Sequence, residues 1–424
     1  MTKAFFVLSN ISVDIWWLRK NMAFKEAEKN THLISSLCLN KDILFTSIKF
    51  IFAFLVAISI WKCDNLNEKI ELERTKCIGK RLIATVQKDS LCFNELIDSL
   101  SLIRLETTPT SLFGDITKIE ILNDTIIIFD FQNQSVLTFD LKGKFIGKIG
   151  KIGKGPEELL NINSIALDKT NHEVLILDDR KSKVFHFKLN GKFVSGEDAQ
   201  VYPFDFIIEN EQLIFYQNKS SYYFDKEIKY DLLITKNGTI KQKYFQFSNA
   251  LSFRYPLNRV FYESNDTIHY VDKWDSKVYS IINGEIIQKY CIDFMGDEIP
   301  LEYTEDEELF DSKHKKYAYL YDYFIENTSY IYFRYFQNEE LNRVIYNKEN
   351  KDYHTFSNDK DSRDLLSVFF TPIYSYNDYF VSTIQPYLLI EAEKRSALNY
   401  NLKNALLELE QSDNLLLAFY KLRE

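Results

Sequence analysis

Asn123 to Asp130 reads N-D-T-I-I-I-F-D: a turn residue, then a short apolar strand that ends on a carboxylate. The unit returns as Asn171 to Asp178 (N-H-E-V-L-I-L-D), Asn210 to Gln217 (N-E-Q-L-I-F-Y-Q) and Asn265 to Asp272 (N-D-T-I-H-Y-V-D). It returns again as Asn327 to Arg334 (N-T-S-Y-I-Y-F-R) and Asn377 to Ile384 (N-D-Y-F-V-S-T-I). An apolar segment precedes each Asn, such as Ile119-Glu120-Ile121 or Phe206-Ile207-Ile208. Asn tolerates a positive φ and bonds its own backbone, so it suits a two-residue hairpin turn. The offsets between the six Asn positions are 48, 39, 55, 62 and 50 residues. Repeats at this scale indicate solenoids, propellers or arrays.

The pattern continues past each hairpin. After Asp130 come an apolar run at Ser135 to Phe139, the turn Lys142-Gly143 and a further run at Lys144 to Ile149. Asn190-Gly191, Asn237-Gly238 and Asn283-Gly284 punctuate the next three repeats in the same way. Such dipeptides between strands are hairpin signals. Each repeat is therefore four antiparallel strands, the unit of a propeller blade. The fold class expected is all-β, a six-bladed β-propeller of four-stranded antiparallel blades. The sixth repeat is incomplete. Its third strand is Leu415 to Leu422 at the end of the chain, and the spare strand Leu100 to Leu105 is expected to fill the fourth place and close the ring. Closure removes an exposed edge that would template aggregation. Leu398, Leu402, Leu406 and Leu409 recur at helical spacing, so a helix is expected over Ile390 to Gln411 within the last blade.

The 424-residue chain carries 34 Phe, 27 Tyr and a formal charge of −9. Aromatic richness suits strands, and the acidic balance argues against a nucleic-acid partner. Phe50 to Trp61 is an almost unbroken apolar run with Lys41 and Lys49 upstream and Cys63 just after. A run of that length with basic flanks reads as a signal-peptide core; the rival reading is a span over Ile43 to Trp61 with Lys49 snorkelling. The expected organisation is an extension with a signal or anchor over 1–63, a tether over 64–98 and the propeller over 99–424. Cys77 and Cys92 either pair in an oxidising compartment or stand, with Cys291, as buried thiols. No spacing suggests a disulfide framework or a zinc site.

No catalytic motif emerges. G-K-I-G-K-I-G-K-G at Gly147 to Gly155 looks like a phosphate loop but lacks G-x-x-x-x-G-K-[S/T] and the strand–loop–helix unit around it. H-E-x-x-H and G-x-S-x-G are absent, and the six His are scattered. No cofactor or metal is expected. One polar position does recur: Asp130, Asp178, Gln217, Asp272 and Arg334 are each expected to end a second strand. In an antiparallel blade those ends share a face with the fourth-to-first connections. That face would also hold the Gly150 to Asn161 loop with Lys154, Glu157 and Glu158, the acidic segment Gly296 to Lys316, and the helix. Long loops on a rigid scaffold are where binding usually sits. The eight named residues are therefore the binding candidates. The alternative for the carboxylates is that each caps the amides of its own turn, and for Arg334 an ion pair with an acid such as Asp272 in place of a ligand carboxylate or phosphate.

Gly143 to Glu158 (G-K-F-I-G-K-I-G-K-I-G-K-G-P-E-E), L-E-T-T at Leu105 to Thr108 and the terminal N-L-L-L-A-F-Y-K-L resemble the six-bladed, NHL-like β-propeller lipoproteins of gut-type Gram-negative anaerobes. The h-region followed by Cys63 likewise resembles a bacterial lipoprotein signal, with Ile60 at the apolar position; Lys62 departs from it, since that place normally holds a small residue. The resemblance implies a ring in the cell envelope, anchored to a membrane by lipid on Cys63 or by the N-terminal apolar segment. The resemblance supplies location and fold; aromatic content and the absent catalytic motifs set the expected function, a monomeric binding or scaffold propeller for a glycan, peptide or partner protein. The alternative is a propeller hydrolase or lyase using carboxylates at the central channel.

Overall fold

In the computed structural model the described residues are 77–84, 93–201, 203–219, 229–247, 259–264, 266–272, 275–357, 371–394 and 409–423. Two strands precede the first repeat: β1 (Lys80–Ile83) and β2 (Ile97–Arg104). Blade one is β3 (Lys118–Leu122), β4 (Thr125–Asp130), β5 (Ser135–Asp140) and β6 (Phe145–Ile149). Blade two is β7 (Ile162–Asp168), β8 (Glu173–Asp178), β9 (Lys183–Lys188) and β10 (Phe193–Asp198). Blade three is β11 (Asp205–Glu209), β12 (Gln212–Tyr216), β13 (Tyr230–Lys236) and β14 (Thr239–Gln246). Blade four is β15 (Phe261–Ser264), β16 (Thr267–Asp272), β17 (Lys277–Ile282) and β18 (Glu285–Asp293). After a short helix, α1 (Glu307–Lys313), blade five is β19 (Tyr319–Glu326), β20 (Tyr330–Gln337), β21 (Glu340–Asn347) and β22 (Tyr353–Ser357). Blade six has β23 (Pro372–Tyr376), β24 (Tyr379–Ile384), helix α2 (Pro386–Lys394) and β25 (Leu416–Leu422).

The six first strands β3, β7, β11, β15, β19 and β23 touch in succession, and β23 meets β3 again. The ring is thus closed. Its clasp is the one expected: blade six runs β2-β25-β24-β23, with Leu100 opposite Tyr420 and Leu102 opposite Ala418. β2 begins three residues earlier than its apolar core alone suggests.

The apolar runs are unbroken because the middle strands are buried on both faces. In β4, Ile126 and Ile128 pack with blade six while Ile127 and Phe129 pack with blade two. In β16, Ile268 and Tyr270 face blade three and Val271 faces blade five. Each seam between neighbouring blades holds one such cluster, so the core is six wedges and not one centre.

The Asn turns behave as expected where they are two residues long. Asn123 and Asp124 have φ of 48° and 58°, and Asn210 and Glu211 have 48° and 62°. Blades two and five use longer turns: Asp168 pairs Glu173, and the Asn327 carboxamide oxygen accepts from the Ser329 and Tyr330 amides. Asn265 lies outside the described residues.

Three expectations change. The stretch 64–98 is not all tether: β1 pairs parallel with β18 as a fifth strand of blade four, a 3-10 turn spans Phe93–Leu96, and β2 starts at Ile97. Cys77 is neither a free thiol nor the partner of Cys92; it is disulfide-bonded to Cys291 with Cα atoms 5.9 Å apart. The sequence separation of 214 between the two cysteines hid the pair. The helix of blade six begins at Pro386, whose fixed φ suits the first helical position. Leu398, Leu402 and Leu406 lie outside the described residues, and Leu409 packs on the blade five–six cluster.

Blade two shows how a polar strand pair is secured. His186 on β9 lies 3.1 Å from Glu173 and 3.2 Å from Glu197 through its two ring nitrogens. Burial opposes its charge, yet the hydrogen bonds of Glu197 and Glu173 outweigh it and raise the His186 pKa above the usual imidazole value. A raised folded pKa contributes stability that is fully present below the unfolded value near 6.5 and is lost as pH rises through the folded value. Replacing His186 by Gln is therefore expected to lower the melting temperature at pH 5.5 more than at pH 8.5. An equal loss at both would reject the charged clamp.

Candidate functional site

Strand order places the second-to-third and fourth-to-first connections on one face. Residues 150–161, 217–229, 247–260, 294–318, 358–371 and 385–415 are all such connections. Among the described residues the opposite face carries the hairpin turns, the longest being 348–352, and the Phe93–Leu96 turn that leads into β2. The asymmetry exceeds the three excursions that sequence pattern alone picks out.

Most of the recurrent polar residues are built into this face as latches. Asp130 is fully buried; its carboxylate accepts from the Gln132 and Asn133 amides and, at 2.7 Å, from the Gly114 amide of the incoming chain. Asp178, also fully buried, accepts from the Lys181 amide and, at 2.6 Å, from the Leu160 amide. Each therefore joins its own turn to the connection arriving from the preceding strands. Gln217 donates to the Tyr230 carbonyl, and Asp272 accepts from the Asp275 amide at 3.4 Å. Capping accounts for the contacts of Asp130 and Asp178.

Arg334 does not end its strand. β20 runs on to Gln337, which is buried and donates at 2.6 Å to Asp297 of the incoming connection. Gln337 is thus the blade-five counterpart of Asp130 and Asp178. The three extra residues of β20 misplaced the repeat by that amount. Arg334 lies mid-strand opposite Arg343, its guanidinium 5.2 Å over the Tyr323 ring.

The Gly150 to Asn161 loop is held from within. The Glu158 carboxylate accepts from Lys151 at 2.7 Å and from the Gly155 amide at 2.8 Å, and Lys181 donates to the Gly155 and Glu158 carbonyls. Those hydrogen bonds, from Lys151 first and then Gly155, depress the Glu158 pKa. A Cβ at Gly153 would stand 2.0 Å from the Glu158 carboxylate, so a side chain there would have to displace it. Lys154 and Glu157 are exposed at the loop tip.

At the axis the first strands bring together residues that the repeat pattern did not single out. Lys118 of β3 donates to Asp205 of β11 at 2.9 Å and lies 3.4 Å from Ser164 of β7, tying blades one, two and three. Arg259, just before β15, reaches from blade four across the axis to blade one. It donates to Glu120 at 2.7 Å and to the Ile119 carbonyl at 3.3 Å, and stacks 5.0 Å over Tyr374 of blade six. Burial lifts the Glu120 pKa against the pull of Arg259 and Lys118. Lys169 pairs Glu263 nearby. Each of these three channel carboxylates has a cation beside it.

The Arg259–Glu120 pair spans the axis between blades four and one. Beside it is a cavity of about 10 Å³ lined by Thr117, Lys118, Ile119, Arg259, Tyr323 and Ile373. That is room for about one water-sized group. Tyr323 links the cavity to Arg334. Thr117, Lys118, Arg259 and Ile373 stand at or just before the starts of first strands, so the cup opens toward the long connections. A signal existed: Lys118 and Glu120 interrupt K-I-E-I-L at alternate positions, unusual in a strand buried within a ring. Among the described residues no three or more His, Cys, Asp or Glu are arranged to hold a metal, and no helix is long and apolar enough to cross a membrane.

Comparison with solved structures finds a Bacteroides fragilis protein named as an export candidate. It has a TM-score of 0.69 at 17% identity, covering 81% of this chain and 99% of that one. A Bacteroides vulgatus member of the DUF4221 family gives 0.47 at 9% identity, covering 77% and 97%. No curated protein matches. The family described as Domain of unknown function (DUF4934) matches residues 81–421, from β1 to the penultimate residue of β25, and the chain belongs to that family.

Proposed function

We propose that the chain is an extracytoplasmic binding or scaffold propeller that meets a glycan, peptide or partner protein on its long-connection face, over the cup at the axis. The observation that carries this reading is the asymmetry of the ring: six long connections leave and enter the strands on one side, whereas the described strands are joined by short hairpin turns on the other. A rigid ring with variable loops on one face concentrates recognition there. The Tyr323–Arg334 stack at the cup wall supplies a flat cationic surface suited to a carboxylate or phosphate group.

A screen of purified protein against arrayed glycans and peptides, with and without divalent metal, tests the reading. Arg334→Ala is expected to weaken the ligand found by about tenfold, the size of an interface anchor. Asn190→Ala, in a tight turn on the opposite face, is expected to leave it unchanged. Equal loss from both, at equal melting temperature, rejects the assignment.

Two observations support export: the Cys77–Cys291 disulfide, a bond that persists in oxidising compartments, and the fold shared with the export candidate. Attachment through lipid on Cys63, as in NHL-like lipoproteins, completes the reading. Cys63→Ala should move the protein to the soluble fraction; retention in the membrane would favour a span at Ile43 to Trp61.

A further inference from the structure

β1 is an added part. The outer strands of blades one, two, three and five carry no fifth strand among the described residues, whereas β18 of blade four carries β1 along Tyr290 to Asp293. Its seat is cut to shape. Leu82 and Ala84 are buried against Tyr290, Ile292 and Tyr346. The Ile83 amide donates to the Tyr353 hydroxyl of blade five at 3.2 Å, and Lys80 sits 4.7 Å over Tyr346. Gln288 accepts from the Ile78 and Gly79 amides. A Cβ on Gly79 would stand 2.5 Å from the Lys289 carbonyl oxygen, so only glycine passes there. The groove therefore selects an extended segment by backbone pairing, one aliphatic pocket and one glycine. Strand addition at a sheet edge works in this way. The ladder is four residues long and the Arg81 end of its ion pair with Asp293 is exposed, so the disulfide holds much of the strap in place.

We infer that the outer edge of blade four is a strand-acceptor site, filled in the oxidised chain by its own residues 80–83 and opened by reduction of Cys77–Cys291. The occupant it takes from outside is the same segment of a second copy, because the groove already fits that segment. In the opening step a dithiol reduces the bond: its two thiols become a disulfide, and Cys77 and Cys291 each gain a hydrogen. The freed strap leaves β18 with an unpaired edge, a feature folded proteins normally cover.

The test uses the full chain with Cys77→Ser and Leu82→Asp, which unseats the strap and leaves the Cys291 thiol. The probe is a synthetic peptide of residues 77–84, its cysteine capped as a mixed disulfide with a small aliphatic thiol. The Cys291 thiolate attacks the peptide sulfur, a new S–S bond forms as the old one breaks, and the small thiol leaves with the electron pair and takes a proton. One peptide is expected to add at least tenfold faster than a control peptide carrying Leu82→Asp. Equal rates would mean simple thiol reactivity and overturn the site. In the reduced wild-type chain, amide exchange at 80–84 should speed up at least tenfold; unchanged protection also overturns it, and this readout needs no variant to fold. The reduced chain at rising concentration should form a dimer that the peptide disperses. A monomer at every concentration overturns the choice of occupant.

Discussion

Removal of residues 414–424 is expected to abolish cooperative unfolding altogether. β25 is an interior strand of blade six, paired with β24 on one side and β2 on the other. Its side chains serve two seams: Leu416, Ala418 and Tyr420 pack toward blade five, and Leu417 and Phe419 toward blade one. Fully burying one such large side chain contributes about 1.5–3 kcal/mol. Four or five of them, with two strand ladders, reach the whole 5–15 kcal/mol that holds a typical domain. Leu100→Asp with Leu102→Asp, which loosens only the outer strand β2, should instead lower the melting temperature while leaving a single transition. Calorimetry of the truncated chain decides: a transition at the wild-type temperature would refute closure by β25.

Glu326→Ala is expected to cost about 3–5 kcal/mol, the penalty for stranding the partners of a buried ion pair. The Glu326 side chain is 2% exposed. It accepts from Lys289 at 2.9 Å, Tyr262 at 3.2 Å and Tyr290 at 3.0 Å, and pairs Lys348 at 2.6 Å. Removing it leaves two ammonium groups without their carboxylate between blades four and five. Burial alone would raise the Glu326 pKa, but Lys289 and Lys348 outweigh burial and hold it below the ordinary carboxylate value. A depressed carboxylate contributes stability that is present above the unfolded value near 4.5 and is lost as pH falls through the folded value. His269 beside it, 3.1 Å from Lys289, is driven down to about 4 by burial and then by Lys289. It stays neutral when folded while the unfolded chain takes up a proton below 6.5, so stability also declines between pH 6.5 and about 4. Its sign is opposite to that of His186. Chemical denaturation of Glu326→Ala at pH 7 should show the full loss; a change under 1 kcal/mol would mean the network is dispensable.

Strand content and ring size were legible because burial on both faces leaves unbroken apolar runs such as I-I-I-F in β4, and because two-residue hairpins demand positive φ at Asn. The clasp was legible too, since a third strand without a fourth implies a donor elsewhere. What stayed hidden depended on distance along the chain. A four-residue parallel strand has no pattern of its own, and Cys77 finds Cys291 only through the fold. The site was half legible. Capping by Asp130 and Asp178 follows from a polar residue recurring near the end of the second strand in most repeats. The Lys118–Asp205 and Arg259–Glu120 pairs cross between blades, so no local spacing announces them. Arg334 was mistaken for a strand end because β20 is longer than its counterparts.

The position of the disulfide also decides how the ring bears tension. Both β1 and the clasp strand β2 lie near the start of the propeller sequence, so a pull on the chain upstream would by connectivity unzip β1 pair by pair and then load the clasp. Cys77 lies ahead of both strands and is bonded to Cys291 within β18. Tension arriving at Cys77 therefore passes straight into an interior strand of blade four, whose Tyr290 and Ile292 are buried between β1 and β17. Everything between the two cysteines, β2 included, stays slack. The point where an upstream pull would enter and the point where the ring is shut are mechanically separate, and a tug on one does not open the other.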